Sequence, residues 1–204
     1  MNSFSSVSLF EEKMAKFAGS KYGIAVASCT DALFLSFFYK KATHVIFPAR
    51  TYISAPFAAI HAGATVDFSD IEWSGAYKLD PWDVIDGAVR LHKGMYAGGL
   101  HCVSFHARKT LPIGRGGMIL TDDEEAAKWF RKARFDGRNG EVPFKEDDVQ
   151  MVGWNCYMTP EQASRGLQLL EGVKPNMPDA YCSDDYPDLR NMTVFKRYRL
   201  HVVA

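Results

Sequence analysis

The chain has 204 residues and a mass of 22.9 kDa, a size that fits one globular domain or two very small ones. Its 24 basic and 24 acidic side chains give no net charge, which argues against a protein that binds a nucleic-acid backbone. Apolar residues make up 47% of the chain, enough for a core. The longest uncharged stretch, 51–66, contains Pro56 and His61, so we expect no membrane-spanning segment.

The cellular compartment is suggested by the N-terminus and the cysteines. The first residues, MNSFSSVSLFEE, lack the basic and long apolar regions of a secretory signal. The four cysteines are scattered and form no CxxC pair, which favours reduced thiols. We therefore expect a cytoplasmic protein.

Helical and strand patterns alternate in the first third of the chain. Apolar residues at helical spacing predict helices, and short apolar runs between them predict buried strands. The helices are predicted at 9–17, 32–39 and 52–61, and the strands at 23–27, 44–47 and 65–68. This alternation predicts an α/β domain with three layers, α/β/α, around a mainly parallel sheet.

The pattern changes after residue 70. The fifteen residues 71–85 are too few for another strand–helix–strand crossover, whose connection takes about ten to twelve residues. Further strands are predicted at 83–86, 100–105 and 117–121, followed by a helix at 122–134, a loop at 137–149 and a helix at 160–171. The proline-containing end of the chain, with its basic KRYRLH, predicts an extended tail. We divide the chain into a domain at 1–171, shortened between 70 and 86, and a tail at 172–204.

The segment Ser104–Gly117, SFHARKTLPIGRGG, combines a lysine that follows a buried strand with a glycine-rich turn. A lysine amine can form a Schiff base with a carbonyl group or with pyridoxal phosphate (PLP), and glycines let a ligand approach the backbone closely. The motifs GxGxxG, GxxxxGK[ST], GxSxG and HExxH are absent. His101 and Cys102 point to opposite faces of a strand, so we predict no metal site there.

Four segments carry a resemblance to a known family. They are Phe10–Leu33, Val45–Ile71, Cys102–Glu125 and Gly153–Leu170, and they cover well over half of the chain. The third, CVSFHARKTLPIGRGGMILTDDEE, is the most specific, because it combines Ser-Phe-His, a lysine and a G-x-G-G turn. In this order and spacing the segments resemble the DegT/DnrJ/EryC1/StrS family of PLP-dependent sugar aminotransferases. The resemblance implies the large domain of PLP-transferase fold type I, with a trimmed sheet and no full C-terminal domain.

The resemblance also implies roles for residues around the cofactor ring. Lys109 would form the Schiff base with PLP and then move the proton in transamination. Asp86 would hold the pyridine nitrogen protonated, although Asp-Gly after a strand is also a common turn. Tyr52 would stack on the pyridine ring, whereas an aromatic residue at a helix start is often part of the core.

Other residues would bind the cofactor phosphate. Ser28, Cys29 and Thr30 correspond to the family's Ser-Gly-Thr loop, and Ser104 would add a hydroxyl; for Thr30, helix capping is a second reading. Cys29 replaces a glycine, which matters if the position requires a positive φ. Asn155 would reach the phosphate of a neighbouring subunit, implying a homodimer with a shared site, or would simply cap the following helix.

The sequence departs from the family between Asp70 and Asp86, after Leu170, and at Val89, which replaces a polar residue. Our first hypothesis is a PLP-dependent aminotransferase that moves an amino group, from a donor such as glutamate, to a keto-sugar of a nucleotide-sugar. The alternatives are a non-catalytic PLP or nucleotide-sugar binding protein acting as a partner subunit, and another PLP reaction such as elimination on a small substrate.

Overall fold

Helices and strands alternate in the first part of the computed structural model, which describes residues 4–198. In chain order they are α1 (Ser5–Ala18), β1 (Tyr22–Val26), α2 (Cys29–Lys40), β2 (His44–Pro48), α3 (Ser54–His61) and β3 (Thr65–Ser69). The rest comprises β4 (Tyr77–Leu79), β5 (Val84–Asp86), β6 (Leu100–Ser104), β7 (Gly117–Thr121), α4 (Glu124–Ala133) and α5 (Pro160–Leu170). Every helix and strand predicted from the sequence is present; β4 and three short 3₁₀ helices of the tail are additions. The ends of the predicted domain and tail, 1–3 and 199–204, lie outside the described residues.

The central sheet is mixed. Its strand order is β1-β7-β6-β5-β4, and only β5 and β6 run parallel, while β2 and β3 form a separate parallel pair. The prediction of a mainly parallel sheet is therefore wrong, although the α/β class is right. Residues 80–83 join β4 to β5, and residues 105–116 join β6 to β7, both without a helix. Both of these pairs run antiparallel, whereas the thirteen residues 87–99 carry the chain back so that β6 runs parallel to β5.

Helices cover both faces of the sheet, as the predicted three-layer architecture requires. One core contains Leu33 of α2 and Phe130 of α4, and the other contains Phe10 of α1 and Ala163 of α5. Side chains of β1, β6 and β7 alternate between the two cores; in β6, for example, Cys102 belongs to the first and Val103 to the second. No helix in residues 4–198 combines the length and apolarity that a bilayer crossing requires.

The described part of the tail, 172–198, packs on the domain instead of extending away from it. It forms three short 3₁₀ helices, and Leu189 and Phe195 are buried in the first core. The Leu189 amide donates to the Ala49 carbonyl at 2.8 Å, and the Ala180 amide donates to the Val89 carbonyl at 3.0 Å. The prediction of an extended tail is thus wrong for these residues, because isolated apolar residues without periodicity gave no signal of burial. The boundary at residue 171 stays a prediction.

Candidate active site

A cavity of about 430 Å³ lies where the carboxyl ends of β5 and β6 face the N-terminus of α2. Carboxyl ends of parallel strands are the usual ligand sites of α/β proteins. Seven of the eight site residues predicted from the sequence line this cavity: Ser28, Cys29, Thr30, Tyr52, Asp86, Ser104 and Lys109. The fold therefore brings together side chains that come from five separate stretches of the chain.

Asn155 is the predicted site residue that does not line the cavity. It is exposed, its Nδ2 donates to Asp136 Oδ2 at 3.3 Å, and its backbone bridges to Phe135. Asn155 does not cap α5, because the side chain of Thr159 does so by accepting the Gln162 amide. Its role at a neighbouring subunit stays a prediction.

Asp86 ends β5 and is 6% exposed. Its Oδ2 accepts a hydrogen bond from the Tyr77 hydroxyl at 2.6 Å, and its Oδ1 accepts one from the Ala88 amide at 3.0 Å. Burial raises the pKa of Asp86, while these two hydrogen bonds and the Lys109 charge act in the opposite direction. A buried carboxylate with two fixed donors keeps lone pairs free for a cation or a ring N–H in the cavity.

Lys109 lies in the connection between β6 and β7 and is half-buried. Burial lowers its pKa, and the nearby Asp86 charge partly counteracts this effect. Its Nζ lies 5.2 Å from the ring centre of Tyr181, and no carboxylate of residues 4–198 forms an ion pair with it. An amine with a lowered pKa and no ion-pair partner is suited to act as a nucleophile or as a proton carrier.

The first turn of α2 forms the wall opposite the strand ends. Ser28 is its N-cap: its Oγ accepts the Asp31 amide at 3.0 Å and donates to Asp31 Oδ2 at 2.6 Å. The Thr30 hydroxyl lies 2.9 Å from the hydroxyl of Ser54 in α3. Free amides and hydroxyls at the positive end of a helix dipole favour an anion such as a phosphate group.

Cys29, which the resemblance places at a glycine position, is accommodated without backbone strain. It is the first residue of α2, and among residues 4–198 the only non-glycine residues with positive φ are Lys41 and Asp136. The thiol is buried, and burial raises its pKa, with the Asp86 charge adding to the effect. Cys29 therefore stays a neutral thiol and does not compete with Lys109 as a nucleophile.

The glycine-rich turn after Lys109 is required for close packing below the cavity. Gly117 pairs with Ser104 in the sheet, and a Cβ on it would lie 2.4–2.5 Å from backbone atoms of Ser28 and Cys29. Gly116 has φ of 147°, a value that favours glycine. The G-x-G-G pattern thus allows β7 to run directly under the first turn of α2.

Several cavity residues were missed by sequence reasoning. They are Thr51, Trp73, Tyr77, His106, Arg108, Arg115, Tyr181, Asp185, Tyr186 and Pro187. Tyr77 belongs to a three-residue strand, and the last four belong to the tail, so neither group has a periodic pattern. Burial raises the pKa of Tyr186 to about 12, and the Asp86 charge is the second cause. His106, Arg108 and Arg115 are the exceptions, because they lie in the segment Ser104–Gly117 that the sequence singled out.

The fold is that of fold type I PLP-dependent aminotransferases. A solved Streptococcus pneumoniae structure, described as a sugar aminotransferase in its PLP form, superposes with a TM-score of 0.69 at 22% identity, covering 81% of this chain and 59% of that one. The sequence model of the DegT/DnrJ/EryC1/StrS aminotransferase family matches residues 1–89 and 87–178. The chain belongs to this family, which confirms the resemblance seen in its motifs.

Two curated relatives match over most of the chain. One is the spore coat polysaccharide biosynthesis protein SpsC of Bacillus subtilis, 28% identical, with 81% of this chain and 56% of the relative covered. Another is the GDP-perosamine synthase of Caulobacter vibrioides, 26% identical, with 82% of this chain and 57% of the relative covered. The chain spans a little more than half the length of these relatives.

Proposed function

We propose that this protein binds PLP and transfers an amino group, through Lys109, to the keto group of a nucleotide-linked sugar. The observation that carries the proposal is the placement of Lys109 and the buried Asp86 in one cavity, opposite the first turn of α2. The sugar class is supported by the two relatives, one named for polysaccharide biosynthesis and one for GDP-perosamine synthesis. Glutamate is the proposed amino donor.

The residues of the cavity fit the groups of PLP. The hydroxyls of Ser28, Thr30 and Ser104, with the amides of the first turn of α2, are suited to hold the phosphate. Tyr52, 58% exposed at the cavity, offers its ring for stacking on the pyridine. Asp86 offers a carboxylate for the pyridine nitrogen.

Each of these residues has a task in amino transfer. When bound, PLP supplies the electron sink that allows a substrate C–H bond to ionise. Lys109 Nζ would hold the cofactor at its carbonyl carbon, with loss of the carbonyl oxygen as water, and as a free amine would carry the substrate proton. Asp86 would keep the pyridine nitrogen protonated. Arg108 and Arg115, which line the cavity and form no ion pair within residues 4–198, attract anionic substrates.

The proposal includes a homodimer in which Asn155 of one copy completes the phosphate site of the other. This is supported by the position of Asn155, which is exposed outside the cavity of its own chain and held by Asp136. Four free cysteines, three of them buried, are compatible with a cytoplasmic protein.

The test is an absorbance spectrum of the purified protein with added PLP. We expect a visible band in the wild type that is lost in Lys109→Ala and kept in Lys16→Ala, which removes an exposed lysine of α1. Added glutamate should bleach the band. A wild type without a visible band would refute the proposal. A band that glutamate leaves unchanged would refute amino transfer and favour binding without turnover.

A further inference from the structure

Tyr77 is not among the site residues predicted from the sequence, yet it lines the cavity and donates a hydrogen bond to Asp86. Strand β4 pairs with β5 in the register Tyr77↔Asp86, so the two side chains stand on the same face of the sheet. The Tyr77 hydroxyl reaches Asp86 Oδ2 at 2.6 Å, and the Tyr77 ring packs 4.8 Å from that of Trp73. The segment 71–85 contains β4, which the sheet order places directly beside β5.

A second hydroxyl, that of Thr51, extends the contact. Thr51 Oγ1 lies 2.5 Å from the Tyr77 hydroxyl oxygen, and Thr51 is 2% exposed. A phenol has one proton to donate, and Tyr77 gives it to Asp86. Thr51 must therefore be the donor to Tyr77, which gives a directed chain from Thr51 through Tyr77 to the carboxylate.

Burial alone favours the neutral form of a carboxyl group, and each hydrogen bond donated to its oxygens favours the ionised form. Two donors oppose burial at Asp86: the Tyr77 hydroxyl on Oδ2 and the Ala88 amide on Oδ1. The amide belongs to the turn after β5, so Tyr77 is the side chain that performs this task. It also fixes the carboxylate plane, because the two bonds hold different oxygens.

We propose that Tyr77, oriented by Thr51, is a positioning residue that keeps Asp86 ionised and correctly oriented to hold the proton on the pyridine nitrogen of PLP. This inference rests on the proposed function for its role, but the coupling between Tyr77 and Asp86 exists without the cofactor. The two parts can therefore be tested separately.

The first experiment measures the carboxyl titration of Asp86 by carbon NMR in protein without PLP. Tyr77→Phe should lower the acid dissociation constant of Asp86 about tenfold or more, the scale of a hydrogen bond to a charged group. Thr51→Val should give a smaller change in the same direction and replaces Tyr77→Phe if that variant does not fold. The control is Tyr96→Phe, which removes a hydroxyl bonded to Gly99 and Asp122 and should leave Asp86 unchanged. An unchanged titration in both Tyr77→Phe and Thr51→Val would overturn the proposal.

The second experiment uses PLP labelled with nitrogen-15 in the ring, whose chemical shift reports protonation. In Tyr77→Phe the signal should move towards the unprotonated ring, and the dissociation constant of PLP should rise about tenfold. The signal of Tyr96→Phe should match that of the wild type. A protonated ring in Tyr77→Phe would overturn the positioning role. A wild type that shows the Asp86 coupling but does not bind PLP would refute the proposed function and leave the coupling intact.

Discussion

The two walls of the cavity are built in different ways. The inner wall, Ser28, Asp86, Ser104 and Lys109, comes from strand ends, the first turn of α2 and the connection between β6 and β7. The outer wall, Tyr181, Asp185, Tyr186 and Pro187, comes from 3₁₀ turns and bends of the tail. Inner-wall groups lie on or next to regular helices and strands, whereas the outer wall depends on a few anchors. The reactive groups are therefore positioned by the sheet and α2, and the tail covers them.

Two kinds of anchor hold the outer wall. Leu189 and Phe195 insert into the same core as α2 and α3, on the C-terminal side of the wall. On its N-terminal side, Asp179 forms an ion pair with Arg90, which follows β5. We expect the apolar anchor to contribute stability to the whole domain and the ionic anchor to act locally.

The largest expected effect is on stability, at the apolar anchor. Phe195 is 1% exposed and packs against Phe57 and Phe68, so Phe195→Ala should lower the free energy of unfolding by about 3–5 kcal/mol. The neighbouring Val194 is 40% exposed, and Val194→Ala should change it by less than about 0.5 kcal/mol. Urea unfolding of both variants measures the difference. Equally small effects of Phe195→Ala and Val194→Ala would mean that the apolar anchor of the outer wall is not part of the core.

The second prediction concerns the inner wall. Asp86→Asn keeps the shape of the side chain and removes its charge, so amino transfer should fall about 10²–10³-fold, the scale of losing one preorganised electrostatic partner. Stability should be retained, because a neutral amide is less costly to bury than a carboxylate. Steady-state rates measure the loss, with the exposed Asp83→Asn as the control. Activity within tenfold of the wild type in Asp86→Asn would remove Asp86 from the proposed machinery.

The same contrast explains what the sequence could predict. Strands such as Gly23–Ala27 and Gly117–Thr121 were predictable because apolar runs ended by polar or glycine residues report local structure directly. Most of the inner wall could be predicted because Lys109 and Asp86 follow such runs inside recognisable motifs. The partner of Asp86 could not, because Tyr77 belongs to a three-residue strand defined only by its pairing with β5. Tyr181 and Tyr186 could not either, since their positions depend on contacts with residues about a hundred positions away, such as Gly75 and Trp73.

A third prediction tests the support beneath the inner wall. His101 in β6 is buried behind the turn that follows Asp86; a Cβ on Gly87 would lie 2.2 Å from its Nε2. Burial lowers the pKa of His101 to about 4, and the charges of Arg90 and His92 contribute. The unfolded chain takes up this proton below a pKa of about 6.5 and the folded chain only near 4, so stability falls as the pH drops through this window. Over the full window, His101 lowers the free energy of unfolding by about 3 kcal/mol.

Denaturant unfolding between pH 7.5 and 4 measures this effect. The fall in the free energy of unfolding should be about 3 kcal/mol smaller in His101→Leu than in the wild type. His61→Leu, which replaces an exposed histidine of α3, should retain the pH dependence of the wild type. The same pH dependence in His101→Leu and the wild type would show that His101 is protonated in the folded protein.

The smallest expected effect is at the ionic anchor of the outer wall. Arg90 binds Asp179 through two hydrogen bonds, Nε to Oδ1 at 2.9 Å and Nη2 to Oδ2 at 2.7 Å, and Nη2 also donates to the Ser74 carbonyl at 2.8 Å. Both side chains are mostly buried, so Arg90→Ala should cost about 1–2 kcal/mol, between the values for exposed and buried pairs. The exposed pair of Arg50 and Asp184 provides the control, because Arg50→Ala should change stability by less than about 0.5 kcal/mol.

Hydrogen exchange distinguishes a local anchor from a global one. In Arg90→Ala the amides of Ala180 and Tyr186, which bond to carbonyl oxygens of Val89 and Ser183, should exchange faster. The amide of Leu100, bonded to the Asp83 carbonyl beside β6, should keep its protection apart from the small global loss. Arg90 contacts Asp179 of the tail and the Ser74 carbonyl. We therefore expect its loss to increase the motion of the outer wall and to leave the sheet unchanged. Faster exchange of equal size in the tail and at Leu100 would mean that the two walls unfold as one unit, and the distinction between them would not hold.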